Sequence, residues 1–266
     1  MMTSGSPVRS VLALSRAEGR RVTRSPWFFV GLAMALLGFG MFGVRVAFDV
    51  GVSWSEDSWT AIVGILFLGV FTMVALSQAV LRDRHEGTLD QITTLPVGPR
   101  VRVGGTLLAT VWPVVVVGAF VATIVLVGVW RLDADGIDVL NVLQGMPLVA
   151  LLGALGVAIA VWFPTPFAVA VAALAFVVLS PGEVARPWHA AFPFVGFTTA
   201  RLVLWHAVYL VGLTCFVGAC ALARFGARRW VVTALLVSAA VVVSSLVVLL
   251  GGVCPAQPAF GQCRFS

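Results

Sequence analysis

The chain has no lysine, and charged residues of every kind make up only 11% of its 266 positions. Arginine is the only strong base, and charge is too scarce for an ordinary soluble domain. The hydrophobic fraction is 60% and the mean hydropathy is +1.05. Apolar runs near or above the ~20 residues that cross ~30 Å of hydrocarbon recur along the whole chain, more than one soluble core can absorb. Several chemistries are missing too. The phosphate-binding pattern G-x-x-x-x-G-K-[ST] does not occur, which excludes a P-loop ATPase in this chain, and neither H-E-x-x-H nor G-x-S-x-G is present. No cysteine or histidine spacing suggests a metal site.

The apolar runs lack the alternation of a membrane barrel, and open sheet edges would leave backbone groups unsatisfied in lipid, so the expected architecture is an all-α, polytopic membrane bundle. Seven spans are expected, at Trp27 to Phe48, Trp59 to Leu81, Leu107 to Trp130, Val139 to Val161, Phe167 to Pro181, Val203 to Leu222 and Trp230 to Gly252. Trp27, Trp59, Trp130, Trp162, Trp205 and Trp230 fall at or near these ends, where amphipathic rings prefer to sit. With the N-terminus inside, twelve of the seventeen arginines lie on the inner side: Arg9, Arg16, Arg20, Arg21, Arg24, Arg82, Arg84, Arg100, Arg102, Arg224, Arg228 and Arg229. Most acids fall outside, and that asymmetry sets the orientation. A cell-membrane location with a cytoplasmic N-terminus and an outer C-terminus is expected.

The net charge of +6 does not point to nucleic acid, because the arginines flank spans instead of forming one stripe with interleaved aromatics. Membrane lipids are the expected partner of that charge. No removable signal peptide is expected, since a 26-residue basic segment precedes the first apolar run without a small-residue cleavage site. Cys215 and Cys220 lie inside the sixth span as small packing residues. Cys254 and Cys263 could close a disulfide on the outer side, worth about 2 to 3 kcal/mol in the chain-entropy model, against the plainer reading of two thiols in a frayed tail.

The chain reads as a single transmembrane domain over 1–266. Residues 8–25 form an interfacial helix, with Val8, Val11, Leu12 and Val22 on its apolar side, against the alternative of a disordered basic arm. Ser25-Pro26 breaks it before the first span. Residues 181–202, interrupted by Pro181, Pro187 and Pro193, suit an outer re-entrant or interfacial segment, with a plain loop as the alternative. Residues 230–252 form an additional span.

The polar run "RDRHEGTLDQITTLPVGPR", Arg82 to Arg100, belongs to a cytoplasmic loop over 82–105. Thr88 and Gln91 form a capping-box pattern that starts a helix at Leu89, and Pro96 ends it. The helix is about seven residues, or roughly 10 Å, with Leu89, Ile92 and Thr93 on one side and Leu95 near the end. So short a helix needs a partner surface to hold it.

His85, His189 and His206 are scattered over both faces, which argues against one active site, and the chain is not expected to be an enzyme by itself. Arg45 and Asp49 read as a helix-end ion pair. His206 and Tyr209, in the outer half of the sixth span, are possible contacts along a substrate path, though such residues more often satisfy one another.

A basic interfacial helix leading through "RSPWFF", followed after the second span by "RDRHEGTLDQITTLPVGPRVRVGGTLLA", resembles the membrane subunits of type-2 ATP-binding-cassette (ABC) exporters. In that family the loop between spans two and three carries an Arg-Glu-Gly-Thr-Leu pattern closing in TxPV. Those places are Arg84, Glu86, Gly87, Thr88, Leu89, Thr94, Pro96 and Val97. The resemblance implies a permease subunit whose coupling helix rests in a groove of a separate ATPase. The coupling residues would be Arg84, Glu86, Gly87, Thr88, Leu89, Asp90, Gln91, Ile92, Leu95 and Pro96. Mg-ATP would bind in the ATPase, with no cofactor in this chain, and a second permease copy or homologue would complete the path. The chain departs from the family's usual six spans and cytoplasmic C-terminus by its seventh apolar run. The alternative reading is a membrane scaffold or assembly factor that binds a cytoplasmic partner without moving cargo.

Overall fold

A computed structural model of the chain describes residues 7–48, 54–85, 98–131, 140, 142–179, 200–226 and 228–253. The described elements are helices throughout: α1 (Pro7–Thr23), α2 (Pro26–Phe48), α3 (Trp54–His85), α4 (Pro99–Ala109), α5 (Val111–Arg131), α6 (Gly145–Trp162), α7 (Pro166–Leu179), α8 (Ala200–Ala223) and α9 (Arg229–Val253). Five stretches are long and apolar enough to cross a membrane: Val63–Arg82, Pro99–Leu126, Gly145–Trp162, Ala200–Ala223 and Arg229–Leu250. The bent pair Val8–Thr23 and Pro26–Met41 makes a sixth if counted as one span, and Pro166–Val177 is a shorter apolar helix. The fold is an all-helical bundle of the multi-pass membrane type.

Prolines set most of the boundaries. Ser25 Oγ accepts from the Phe28 amide at 3.1 Å, capping α2, and Pro26 takes the first helical position, where a missing N–H costs nothing. The chain bends by 63° between α1 and α2 at this cap. The third expected span is instead two helices. Pro113 cannot donate to the Ala109 carbonyl, and the ladder breaks at Thr110, whose Oγ1 donates to Leu107 O at 2.7 Å. In the fourth expected span, residues 140, 142 and 143 are helical and Gln144 is a turn before α6 begins at Gly145, a break that follows because Pro147 cannot donate to the Leu143 carbonyl. The second span runs further than expected at both ends, Trp54 to His85, so residues 82–85 belong to α3 and 99–105 to α4. The polar loop narrows accordingly.

Helices α3 and α6 form the centre and run in the same direction. Ile65 packs on Gly145, Gly69 on Val149 and Leu152, and Met73 on Gly156. Buried small residues let these backbones approach, the usual device where lipid supplies no hydrophobic drive between helices. At Gly156 an added Cβ would lie 2.2 Å from the Met73 carbonyl oxygen. The antiparallel α2–α3 crossing uses the same device, with Gly31 against Leu68 and Phe71, and Gly64 against Ala35. Leu68, Leu152, Val149 and Val157 are fully buried. Helix α8 lies parallel to α6 on its other side, and α9 packs chiefly on α8. The outward faces of α2 and α9, with Leu36, Leu37, Leu236 and Val247 exposed, are apolar enough to meet lipid.

The sequence's expectations for Glu86 to Val97, the outer segment 181–199, the Arg45–Asp49 pair and the tail cysteines lie outside the described residues.

Candidate functional site at the arginine-rich end

Arginines gather where α1 meets α2, α3 ends, α4 begins and α8 turns into α9, and this end of the bundle carries the two feet of the polar loop. The first foot is Arg82 in the last turns of α3. Its guanidinium donates from Nη2 to Glu18 Oε1 at 3.3 Å, and Arg21 Nη1 donates to the same oxygen at 2.9 Å. The Glu18 side chain is only 10% exposed, and its Oε2 has no hydrogen-bond partner among the described residues. A carboxylate so buried is tolerable because it is paired on its other oxygen, and removing either arginine would leave it undercompensated. Arg84 follows in the final turn of α3.

The second foot is Arg100, in the first turn of α4. Its Nη2 donates to the Phe225 carbonyl and to the Gly226 carbonyl at 3.2 Å. Carbonyls just past a helix have no partner within it, and a guanidinium both satisfies them and suits the negative end of the helix dipole. Gly226 sits at φ +111°, a backbone region open to glycine. A Cβ there would lie 2.6 Å from Arg100 Nη2. Gly226→Val therefore strains the turn and displaces the arginine at once. We expect a lower Tm, with a loss of about 1 to 2 kcal/mol from the backbone alone, while Gly98→Ala, where a Cβ meets nothing within 4 Å, stays near wild type.

Helix α1 joins both feet. Ser15, Glu18, Gly19 and Val22 are buried on the face that meets the bundle, and Leu14 Cβ lies 2.8 Å from where a Gly105 Cβ would stand. Gly19 admits the edge of the Trp112 indole from α5, with no room for a side chain. The apolar side read from the sequence is therefore split. Val22 is buried in the protein, whereas Val8 and Leu12 extend past the bundle, 65% and 48% exposed. On the other side of α8, Arg224 stands over the Trp162 ring at 5.2 Å, and Trp162 Nε1 donates to Cys220 O at 3.1 Å. Beside Arg100, a half-open cavity of about 720 Å³ is formed by α1, α4 and the α8–α9 turn.

A second polar cluster lies at the opposite end. His206 Nδ1 meets Gln144 Oε1 in a buried polar contact. The Tyr209 ring packs 5.9 Å from the imidazole. His206 and Gln144 are almost fully buried and Tyr209 nearly so, so the cluster fastens α8 to the start of α6. It is not joined to the arginine-rich end. Cys215 and Cys220 are unbonded. No group of three or more histidine, cysteine or acidic residues placed to hold a metal occurs among the described residues.

The sequence reading used Arg82 and Arg100 only to orient the chain and overlooked Glu18 and Gln144. Glu18 had a signal: two turns after Val11 it returns to nearly the same place on the helical wheel, on the apolar side, where an acid needs a partner. Gln144 had none, because its partner is 62 positions away. No protein-family model matches the chain, and no curated protein matches it significantly.

Proposed function

We propose that the protein is the permease subunit of an ABC exporter in the cell membrane, working with a separate ATPase. The observation that carries this reading is the pair of clamps at the feet of the polar loop. Arg82 ties α3 to α1, and Arg100 ties α4 to the α8–α9 turn. A load placed on the loop would thus pass to the N-terminal helix and to the last two helices together, as coupling to a cytoplasmic motor requires. The sequence supplies the other half, in Arg84, Glu86, Gly87, Thr88, Leu89, Thr94, Pro96 and Val97.

In this reading the N-terminus is cytoplasmic, α1 lies at the inner headgroups, and a six-span exporter core is extended by α9, which leads the tail outside. A second permease, identical or homologous, completes the path, and Mg-ATP binds only in the ATPase. His206 and Tyr209 would meet cargo only when α6 and α8 separate, since His206 is held by Gln144 in this conformation. The bundle interior has almost no charge, which suits an amphipathic or hydrophobic cargo.

Reconstitution into vesicles tests the proposal. A transport assembly hydrolyses ATP at a rate that depends on both subunits being present. A cytoplasmic partner that binds the chain without any such hydrolysis would mark a scaffold instead.

A further inference from the structure

The cavity at the arginine-rich end has a chemistry that the transport reading does not use. One wall is apolar, made by Val11 of α1, Val101 of α4, and Leu222 and Phe225 at the end of α8. Arg100 and Arg228 supply its charge, and no acid lines it among the described residues. Arg100 spends Nη2 on the two carbonyls, while its Nε is buried without a hydrogen-bond partner among the described residues. Arg228 has no side-chain hydrogen bond or ion pair among the described residues. Trp230 completes the rim, 52% exposed, as an indole at a headgroup boundary would be.

A volume of about 720 Å³ lies within the range of small-molecule sites and is far larger than a bare phosphate needs. Cationic rim, apolar wall and interfacial tryptophan together match a molecule with an anionic head and a hydrocarbon tail. We propose that this cavity binds one anionic phospholipid from the adjoining leaflet, its phosphate on Arg228 and Arg100 and the start of an acyl chain along Val101, Leu222 and Phe225. The lipid would bridge α1, α4 and α9, reinforcing the contact that Arg100 makes to the α8–α9 turn. The site asks only that this end of the bundle lie among headgroups, so it stands independently of the transport proposal.

Gly104 gives a clean test. It lines the cavity, yet a Cβ at this position meets nothing within 4 Å. Gly104→Leu should therefore fill the site while leaving the helix intact or firmer, since glycine is a poor helix former. The full chain, purified in detergent, is titrated with phosphatidylglycerol or phosphatidylcholine, and retained lipid is counted by native mass spectrometry. Wild type should hold one phosphatidylglycerol in preference to phosphatidylcholine. Arg228→Gln should weaken that retention about fivefold, the effect of one arginine near a lipid surface, and Gly104→Leu should weaken it more. Arg20→Gln removes the same charge from the exposed side of α1 and should change retention less than twofold. Equal retention of the two lipids would overturn the proposal. So would undiminished phosphatidylglycerol binding in Gly104→Leu, or an Arg20→Gln effect as large as that of Arg228→Gln.

Discussion

Gly156→Leu is expected to abolish the folded bundle. At this position the α6 backbone approaches α3 so closely that even a Cβ would stand 2.2 Å from the Met73 carbonyl oxygen and 2.9 Å from its Cα. The obstacle is main chain, which no rotamer change can move aside. Leucine would force the two central helices apart, and with them the buried contacts of Met73, Leu76 and Val157. Overpacking in a core that can adjust costs about 1 to 3 kcal/mol. Here the cost should exceed that range, because α2, α7 and α8 all pack on the displaced pair. Size-exclusion profiles and thermal unfolding in detergent provide the check, with Gly104→Ala as the comparison. That glycine faces open space, so the variant should be as stable as wild type or more so. A well-folded Gly156→Leu protein would mean that α3 and α6 do not cross where described.

Under the proposed coupling role, the largest functional effect should come from placing charge at Leu89 and Ile92, the apolar side of the helix that the sequence leads us to expect there. Leu89→Glu combined with Ile92→Glu is expected to lower ATP-dependent transport at least about tenfold while leaving Tm unchanged. The physical reason is general. A few apolar anchors near the centre of a docking surface carry most of its binding energy, and a charge buried there without a partner costs more still. Thr88→Ala should have a smaller effect, a loss of about 1 kcal/mol of helix stability from the missing cap. The double variant has to be compared with wild type at equal amounts of protein in the membrane. Coupled hydrolysis that survives both glutamates would remove these residues from the docking surface.

The helices were legible because apolar length is a strong signal. The Ser25-Pro26 break appears where the sequence placed it, since a capping serine followed by proline leaves few alternatives. Pro113 and Pro147 were harder to weigh. Each sits inside an unbroken apolar run, and composition alone reads through a proline that the backbone ladder cannot. Hence the breaks at Thr110, inside the single stretch Pro99–Leu126, and at Gln144, before α6, went unread.

The site was legible only in part. The polar run from Arg82 to Arg100 stands out against so apolar a chain, but what its two feet hold did not. Arg82 reaches Glu18 across 64 positions and Arg100 reaches Phe225 across 125, and pairings at such separation leave no periodic trace. The glycines at 31, 64 and 156 were equally silent, because a glycine inside a span reads alike whether it faces lipid, as open space at Gly40 allows, or another backbone. Helix α9 shows the opposite case: its length and apolarity announced a span, and the packing almost wholly on α8 did not show in the sequence.

The central claim is that the loop between α3 and α4 is gripped by an ATPase, and photo-crosslinking addresses it most directly. A photoreactive amino acid in place of Ile92, activated in native membranes, should attach the chain to a nucleotide-binding subunit carrying a P-loop. The same residue in place of Val243, on the exposed face of α9, should attach only lipid or other membrane components. A crosslink from position 92 that reaches only lipid, or only this chain, would contradict the account.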